Sequence, residues 1–318
     1  MEKIVHLDAI AIPAAFPLPR PNCEHEWISY ETTKYEDIAA RCAEATVVVT
    51  NKCRLTAENM AKMPKLKLVA ELATGYNNID IDYCREHNIA VTTIQGYSTL
   101  SVAEHTLAMM LSLSRSFIQT HKAMGEGLWV NANCFCQKPY PIVDLNGRTL
   151  TVVGSGAIGS RIGALASAFG MKVLKAEHKQ ATSVRLGYTE FKQAIAEADF
   201  ISINCPLNNE TSNLITKAEF ALMKPSVFVI NNARGGVVNE ADWVDAVLTG
   251  KIAGGAADVA STEPLPEDHP FVKLLQNDNF ILTPHQAWMS DDCLVELCRQ
   301  FKENVDAFFE GRSVRRIV

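Results

Sequence analysis

Three charged residues each stand just beyond a short apolar run that reads as a β-strand. Arg234 follows Val227–Asn231 in Asn231-Asn232-Ala233-Arg234-Gly235-Gly236. Glu263 follows Gly255–Val259 in Asp258-Val259-Ala260-Ser261-Thr262-Glu263-Pro264, and His285 follows Phe280–Leu282 in Thr283-Pro284-His285. Open parallel sheets bind ligands beyond the carboxyl ends of their strands, so the three could converge on one cleft. The chemistry they suit is reduction of a ketone beside a carboxylate. An imidazole can hand a proton to the developing alkoxide. A carboxylate beside it favours its charged form and fixes its orientation. A guanidinium holds a planar carboxylate by a two-pronged fork that lysine cannot make. Any one of the three alone would read as ordinary loop charge, since the chain has 8 histidines and most Arg and Glu are solvated. Their occurrence after successive strands is what raises them.

A hydride donor for that reaction needs a binding turn. Thr149–Val153 runs into Gly154-Ser155-Gly156-Ala157-Ile158-Gly159, a G-x-G-x-x-G turn that opens a helix. Gly154 permits the tight turn, Gly156 lets a pyrophosphate approach the backbone, and Gly159 allows close helix–strand packing. The N–H groups of Ala157, Ile158 and Gly159 face the phosphates at the positive end of the helix. Glu177 ends the next strand, Lys172–Ala176, at the roughly 20-residue spacing at which an acid holds the adenosine ribose. Strand, turn, helix, strand and acid together predict dinucleotide binding. Glu177 favours NAD over NADP because it would repel a 2′-phosphate; the adjacent His178 and Lys179 weaken that preference. One further turn, Ala73-Thr74-Gly75-Tyr76-Asn77-Asn78, could bind a substrate carboxylate through the N–H groups of Thr74 and Gly75. A glycine turn that merely closes a strand is an equal reading of these residues.

The elements that position these groups are legible in outline. Ile4–Ile10, Ala45–Thr50, Leu66–Leu72 and Ile89–Ile94 read as strands, with helical stretches Tyr35–Glu44, Thr56–Met63 and Ile79–His87 between them. Ser98 and Ser101 are candidate caps of a long helix through Val102–Met124, apolar on all sides near Leu107–Leu113 and so expected to be buried all round, between domains or subunits. Gly125–Gly147 has no period and reads as a functional segment or interface arm. A second alternating unit follows, with strands Thr149–Val153, Lys172–Ala176, Phe200–Asn204, Val227–Asn231, Gly255–Val259 and Phe280–Leu282. Its first helix, Ala157–Phe169, carries a stripe of Ile158, Ile162, Leu165 and Phe169. Another, Glu240–Thr249, has Asn239 as N-cap. A last helix, capped by Ser290, carries Leu294, Leu297, Phe301, Val305 and Phe308 and stops at Gly311.

With 318 residues, 47% of them hydrophobic, the chain has length for about two domains. A net charge of −6 lacks the footprint of a general nucleic-acid binder. The 9 cysteines are scattered, with Cys134-x-Cys136 the only close pair, so neither a disulfide framework nor a metal site is expected. Mostly buried, free thiols in a reducing compartment are. No run is long enough for a membrane span and the N-terminal region lacks a signal-peptide layout, so a soluble cytoplasmic protein is expected.

The order of motifs, G-x-G-x-x-G, then Asn-Asn-Ala-Arg-Gly, then Asp-Val-x-x-x-Glu-Pro, then Thr-Pro-His, resembles the D-isomer-specific 2-hydroxyacid dehydrogenases. The likeness spans nearly the whole chain and takes in Ala73-Thr74-Gly75, Ser101-Val102-Ala103-Glu104 and Cys205-Pro206-Leu207. Gly96-Tyr97-Ser98-Thr99 and His285-Gln286-Ala287-Trp288 look most like the hydroxypyruvate-reducing branch of that family. The resemblance implies two doubly wound parallel-sheet α/β domains, flavodoxin-like for the substrate and Rossmann for NAD, with the site in a cleft between them. It implies a substrate domain of residues 1–99, an NAD-binding domain of 100–288, and a helix at 289–318 that returns to the first. It implies that Arg234 binds the substrate carboxylate and carbonyl, that His285 is the general acid/base and that Glu263 is its partner. Ala73, Thr74 and Gly75 would grip the carboxylate. Asp258 would meet the nicotinamide carboxamide, and Cys205, Pro206, Asn232 and Ala233 would line the cofactor site. A homodimer is implied as well. Asn232, Gln286 and Glu177 depart from the commoner family residues, Thr, Ile or Val, and Asp.

The expected activity is NADH-dependent reduction of small 2-oxo acids, hydroxypyruvate or glyoxylate foremost. A dehydrogenase of bulkier 2-hydroxy acids and an NADH-sensing binding protein are the alternatives.

Overall fold

The computed structural model describes residues 1–318, and the chain separates into two compact units, Met1–Tyr97 with Ser290–Val318, and Ser98–Met289. The first unit holds a five-stranded sheet of β1 (Glu2–His6), β2 (His25–Ser29), β3 (Val47–Thr50), β4 (Leu68–Glu71) and β5 (Ala90–Thr92). The order is β2-β1-β3-β4-β5 and every pairing is parallel. All residues of β3, β4 and β5 are buried, as an all-parallel sheet covered on both faces requires. β2 is half-exposed and lacks a β-branched run, so it leaves no strand signal in the sequence. The expected strand Ile4–Ile10 stops at His6, and Ala9–Ala11 forms a 3-10 turn. Asp8 ends it: its carboxylate accepts the N–H groups of Asn51 and Lys52 and the Thr50 hydroxyl.

The C-terminal helix Asp291–Phe309 belongs to this unit. Ser290 Oγ caps it by accepting the Cys293 N–H at 3.3 Å. Leu294, Leu297, Phe301 and Val305 are buried, and Gln300 and Asn304 beside them bond the backbone at Gln95 and Thr93. Two polar side chains thus fix the register of an otherwise apolar face.

The second unit holds a six-stranded parallel sheet of β6 (Thr149–Val153), β7 (Lys172–Ala176), β8 (Phe200–Ile203), β9 (Phe228–Asn231), β10 (Gly254–Ala257) and β11 (Phe280–Leu282). The order is β11-β10-β9-β8-β6-β7, with a parallel bridge from Ala176 to Thr189 at the β7 edge. The strand order reverses between β6 and β8, and the glycine turn lies at that point. One core face gathers Phe191, Phe220, Trp243, Phe271 and Phe280, with Trp243 edge-on to both Phe271 and Phe280. The opposite face gathers Met109, Met110, Leu150, Ile162 and Ile230.

Two helices differ from expectation. The apolar stretch after Ser98 is not one helix but two, Thr99–Ser114 and Phe117–Gly125. The break is at Ser116, in the left-handed region at φ +47, where its hydroxyl bonds the Pro141 carbonyl while the Val143 N–H bonds that of Ser114. Nor is its middle buried on every side: Ala108 is exposed and Leu107 and Leu111 are half-buried. In the helix Ala157–Ala168 the fourth stripe residue, Phe169, lies past the end and is exposed; Ala166 packs in the core instead. No helix is long and apolar enough to cross a membrane.

Candidate active site

The glycine turn leaves β6 at Gly154, whose φ is +90. A Cβ there would strike the backbone of Asn204 and Cys205, and one on Gly159 would fall on the Gly154 carbonyl. A Cβ on Gly156 would meet nothing. Two glycines therefore serve packing, while the third keeps a space open over the helix N-terminus. The N–H groups of Ala157 and Ile158 make no hydrogen bond within the protein, and no side chain caps the helix. This is the cradle a pyrophosphate fits. Cys205 and Pro206 follow β8, and the Asn204–Cys205 backbone lies against Gly154, at the rim of the turn. Burial pushes the Cys205 thiol up to about 11, which disfavours its thiolate.

At the adenosine end, Glu177 stands just past β7 as expected, but its carboxylate is not free. It is buried, and Oε1 accepts the His178 N–H at 2.9 Å and Arg185 Nη2 at 2.6 Å. Oε2 accepts the Arg185 N–H at 2.9 Å and Nε at 2.8 Å. The Arg185 hydrogen bonds lower its pKa to about 2. The sequence reading, in which Glu177 offers its oxygens to the ribose, thus meets a carboxylate whose acceptor sites are filled. Lys179 is engaged too, with Glu219 and the Leu214 carbonyl. The guanidinium of Arg185 lies 3.9 Å over the Tyr188 ring, and the Tyr188 hydroxyl meets Ser155 Oγ of the glycine turn at 2.6 Å.

The candidate reacting groups stand on loops after β9, β10 and β11. His285 Nδ1 meets Glu263 Oε2 at 2.6 Å, with the two side chains 26% and 35% exposed. The ring's other nitrogen, Nε2, makes no hydrogen bond within the protein. Glu263 Oε1 accepts the Ala260 N–H at 3.0 Å, which orients the acid. His285 has φ +53, uncommon for a residue with a Cβ. Such a conformation persists only when its surroundings over-determine it. Asp258 supplies that restraint: its buried carboxylate accepts the N–H groups of Gln286 and Ala287, at 2.9 and 2.8 Å, and the Thr283 hydroxyl at 2.5 Å. Asp258 therefore pins the His285 loop, a task the sequence did not reveal. His105 joins at Thr283 Oγ1, 3.2 Å away.

Arg234 is exposed, and its Nη1 donates to the neighbouring Ala233 carbonyl. Asn231 shapes its turn, accepting the Ala233 N–H and donating to the Arg234 carbonyl. A Cβ on Gly235 would fall on the Ala260–Ser261 backbone, so the arginine loop abuts the loop that carries Glu263. Asn232 donates to Thr106 Oγ1 at 2.9 Å, while its Oδ1 is buried without a partner. A buried pair missed in the sequence braces the Glu263 loop: Glu240 accepts Ser261 N–H at 2.7 Å and lies 2.8 Å from His269 Nε2.

In the first unit, Ala73-Thr74-Gly75 follows β4. The Ala73 carbonyl accepts the Ile94 N–H, and the Thr74 hydroxyl donates to the Ile94 carbonyl at 2.7 Å. The N–H groups of Thr74 and Gly75 have no protein acceptor. The cysteines correct one expectation, because only Cys42, Cys84 and Cys293 are buried while Cys134 and Cys136 are exposed.

The model of the D-isomer specific 2-hydroxyacid dehydrogenase NAD-binding domain matches residues 107–287. A putative 2-hydroxyacid dehydrogenase of Haemophilus influenzae is 40% identical over 97% of this chain and 98% of its own. A hydroxypyruvate reductase of Blautia hydrogenotrophica is 34% identical over 98% of both chains. Among solved structures, D-lactate dehydrogenase of Aquifex aeolicus, complexed with NAD and lactic acid, is 29% identical with a TM-score of 0.82, covering 98% of this chain and 96% of that one. The chain belongs to the D-isomer-specific 2-hydroxyacid dehydrogenase family. It is an NAD-dependent oxidoreductase with a Rossmann NAD-binding domain.

Proposed function

We propose that this enzyme reduces small 2-oxo acids with NADH, hydroxypyruvate and glyoxylate foremost, giving D-glycerate and glycolate. The observation that carries the reading is the Glu263–His285 pair, 2.6 Å apart on the Nδ1 side with Nε2 left open. A similar protein of Methylorubrum extorquens, 34% identical over 98% of this chain and 97% of its own, is named glycerate dehydrogenase, which supports the substrate class.

A bound nicotinamide supplies a hydride. Gly154, Gly156, Ala157, Ile158 and Gly159 hold its dinucleotide, with Cys205, Pro206, Asn232 and Ala233 along the rim. Arg234 grips the carboxylate and carbonyl of the 2-oxo acid by its fork, which orients the carbonyl carbon. Ala73, Thr74 and Gly75 bind the same carboxylate through backbone N–H groups. His285 hands a proton from Nε2 to the carbonyl oxygen as charge develops there. Glu263 keeps the ring oriented and compensates the imidazolium. Asp258 acts through the loop it pins. Each reduction consumes the proton that His285 donates.

NADH oxidation against a panel of 2-oxo acids tests the reading. Fast turnover of hydroxypyruvate or glyoxylate is expected. Faster turnover of branched or aromatic 2-oxo acids would reassign the substrate, and binding without turnover of any would reject the enzyme. We also read the chain as a cytoplasmic homodimer. The exposed Phe117, Ile118, Trp129, Val130 and Phe135 in and after the second of the two helices support the pairing, and light scattering giving a monomer mass would reject it.

A further inference from the structure

The ion pair at the end of β7 changes what the adenosine end can accept. A carboxylate in Glu177's place excludes a 2′-phosphate when its charge is uncompensated and its oxygens face the ribose. Neither condition holds. Both oxygens are filled by Arg185 and by two backbone N–H groups, and the guanidinium neutralises the charge. Arg185 itself is 53% exposed, while Glu177 behind it is 3% exposed. Nε and Nη2 face the acid, and Nη1 has no hydrogen-bond partner. An approaching anion therefore meets the cation first.

The guanidinium is also held in place. Its plane rests on the Tyr188 ring, and Tyr188 is tied through Ser155 to the turn that takes the pyrophosphate. Preorganisation of this kind removes the entropic cost of recruiting a flexible cation. Lys179, the nearest rival in sequence, is paired with Glu219 and is not available. His178, exposed beside the pair, is a second and weaker donor.

We propose that Arg185 is a phosphomonoester ligand beside the adenosine ribose, and that the enzyme accepts NADPH as well as NADH. Glu177 then serves as a positioning residue that holds Arg185.

The test is equilibrium binding of NADH and of NADPH, read by nicotinamide fluorescence and calorimetry. No 2-oxo acid is present, so the outcome is independent of the substrate assignment. The wild type is expected to bind NADPH within about tenfold of NADH. Arg185→Gln is expected to weaken NADPH at least about tenfold, the worth of a charge-assisted contact, while NADH is kept. Arg185→Lys retains the cation and is expected to keep most NADPH binding. Glu177→Gln unburdens the cation and is expected to shift the ratio further toward NADPH. Raising salt should weaken NADPH more than NADH. A wild-type preference for NADH beyond tenfold overturns the proposal, as does an NADPH-to-NADH ratio that Arg185→Gln leaves unchanged. Arg185→Lys guards against a collapsed loop: if it behaves as Arg185→Gln does while circular dichroism shows both folded, the charge is not the determinant and the proposal fails.

Discussion

Two carboxylate–imidazole pairs lie in the second unit, and they differ in what each leaves open. Glu263 and His285 are 2.6 Å apart with side chains 35% and 26% exposed. Glu240 and His269 are 2.8 Å apart with side chains 8% and 3% exposed. In the buried pair both ring nitrogens are committed: Nδ1 accepts the Phe271 N–H and Nε2 meets Glu240 and Ser261. In the exposed pair only Nδ1 is committed, and the backbone at His285 is held in an unusual conformation. A Glu–His pair is thus not a catalytic signal in itself. What distinguishes the two is an open ring nitrogen, and that is a property of the surroundings.

Replacing each histidine separates the two pairs most clearly. His285→Gln should lower kcat by on the order of 10²–10⁴, the usual worth of a positioned acid, with the thermal midpoint little changed. Near-normal turnover would remove His285 from the chemistry. Arg234→Lys should come next, raising KM for the 2-oxo acid and lowering kcat/KM by about a hundredfold, because the fork is lost. NADH binding should be unaffected, and a kcat/KM that survives would remove Arg234 from substrate binding. His269→Ala should instead cost about 3 kcal/mol of folding stability by leaving Glu240 buried and unpaired, as measured by urea denaturation. A loss of kcat as large as that of His285→Gln, in protein that is still folded, would erase the distinction.

The smallest effect concerns a carboxylate with no ion pair. Glu71 is buried at the end of β4, bonded to Asn78 Nδ2 at 2.9 Å, with Oε1 unpartnered. Burial raises its pKa well above the ordinary 4.5. The folded state therefore holds this proton more tightly than the unfolded chain. The stability it contributes is complete below about pH 4.5 and is lost as pH rises through the folded value. Glu71→Gln should remove that fall, so the variant gains on the wild type as pH increases. Parallel stability curves for the two proteins would show that Glu71 carries no such burden.

Much of this site was legible because it is written locally. The glycine turn, the strand before it and the acid after β7 are each a matter of a few adjacent residues, and so are the caps at Asn239 and Ser290. The edge strand β2 was not legible, because half-exposed residues such as those of His25–Ser29 have no period-two pattern to read. The break at Ser116 was not legible either. It depends on Pro141 and Val143, about 25 residues on, and no propensity of the helix itself foretells it.

The residue order already carries the chemistry available: a phosphate cradle at Gly154–Gly159, and an arginine, a glutamate and a histidine after successive strands. It does so because hydrophobic period and turn chemistry act over a few residues. Which groups remain free is settled when the loops come together. Tertiary structure closed Glu177 with Arg185, engaged Lys179 with Glu219, assigned Asp258 to the His285 loop, and left Nε2 of one histidine open where another has none. A polar group's state depends on its hydrogen-bond partners and solvation. Those partners come from other loops, which meet only when the sheet has assembled.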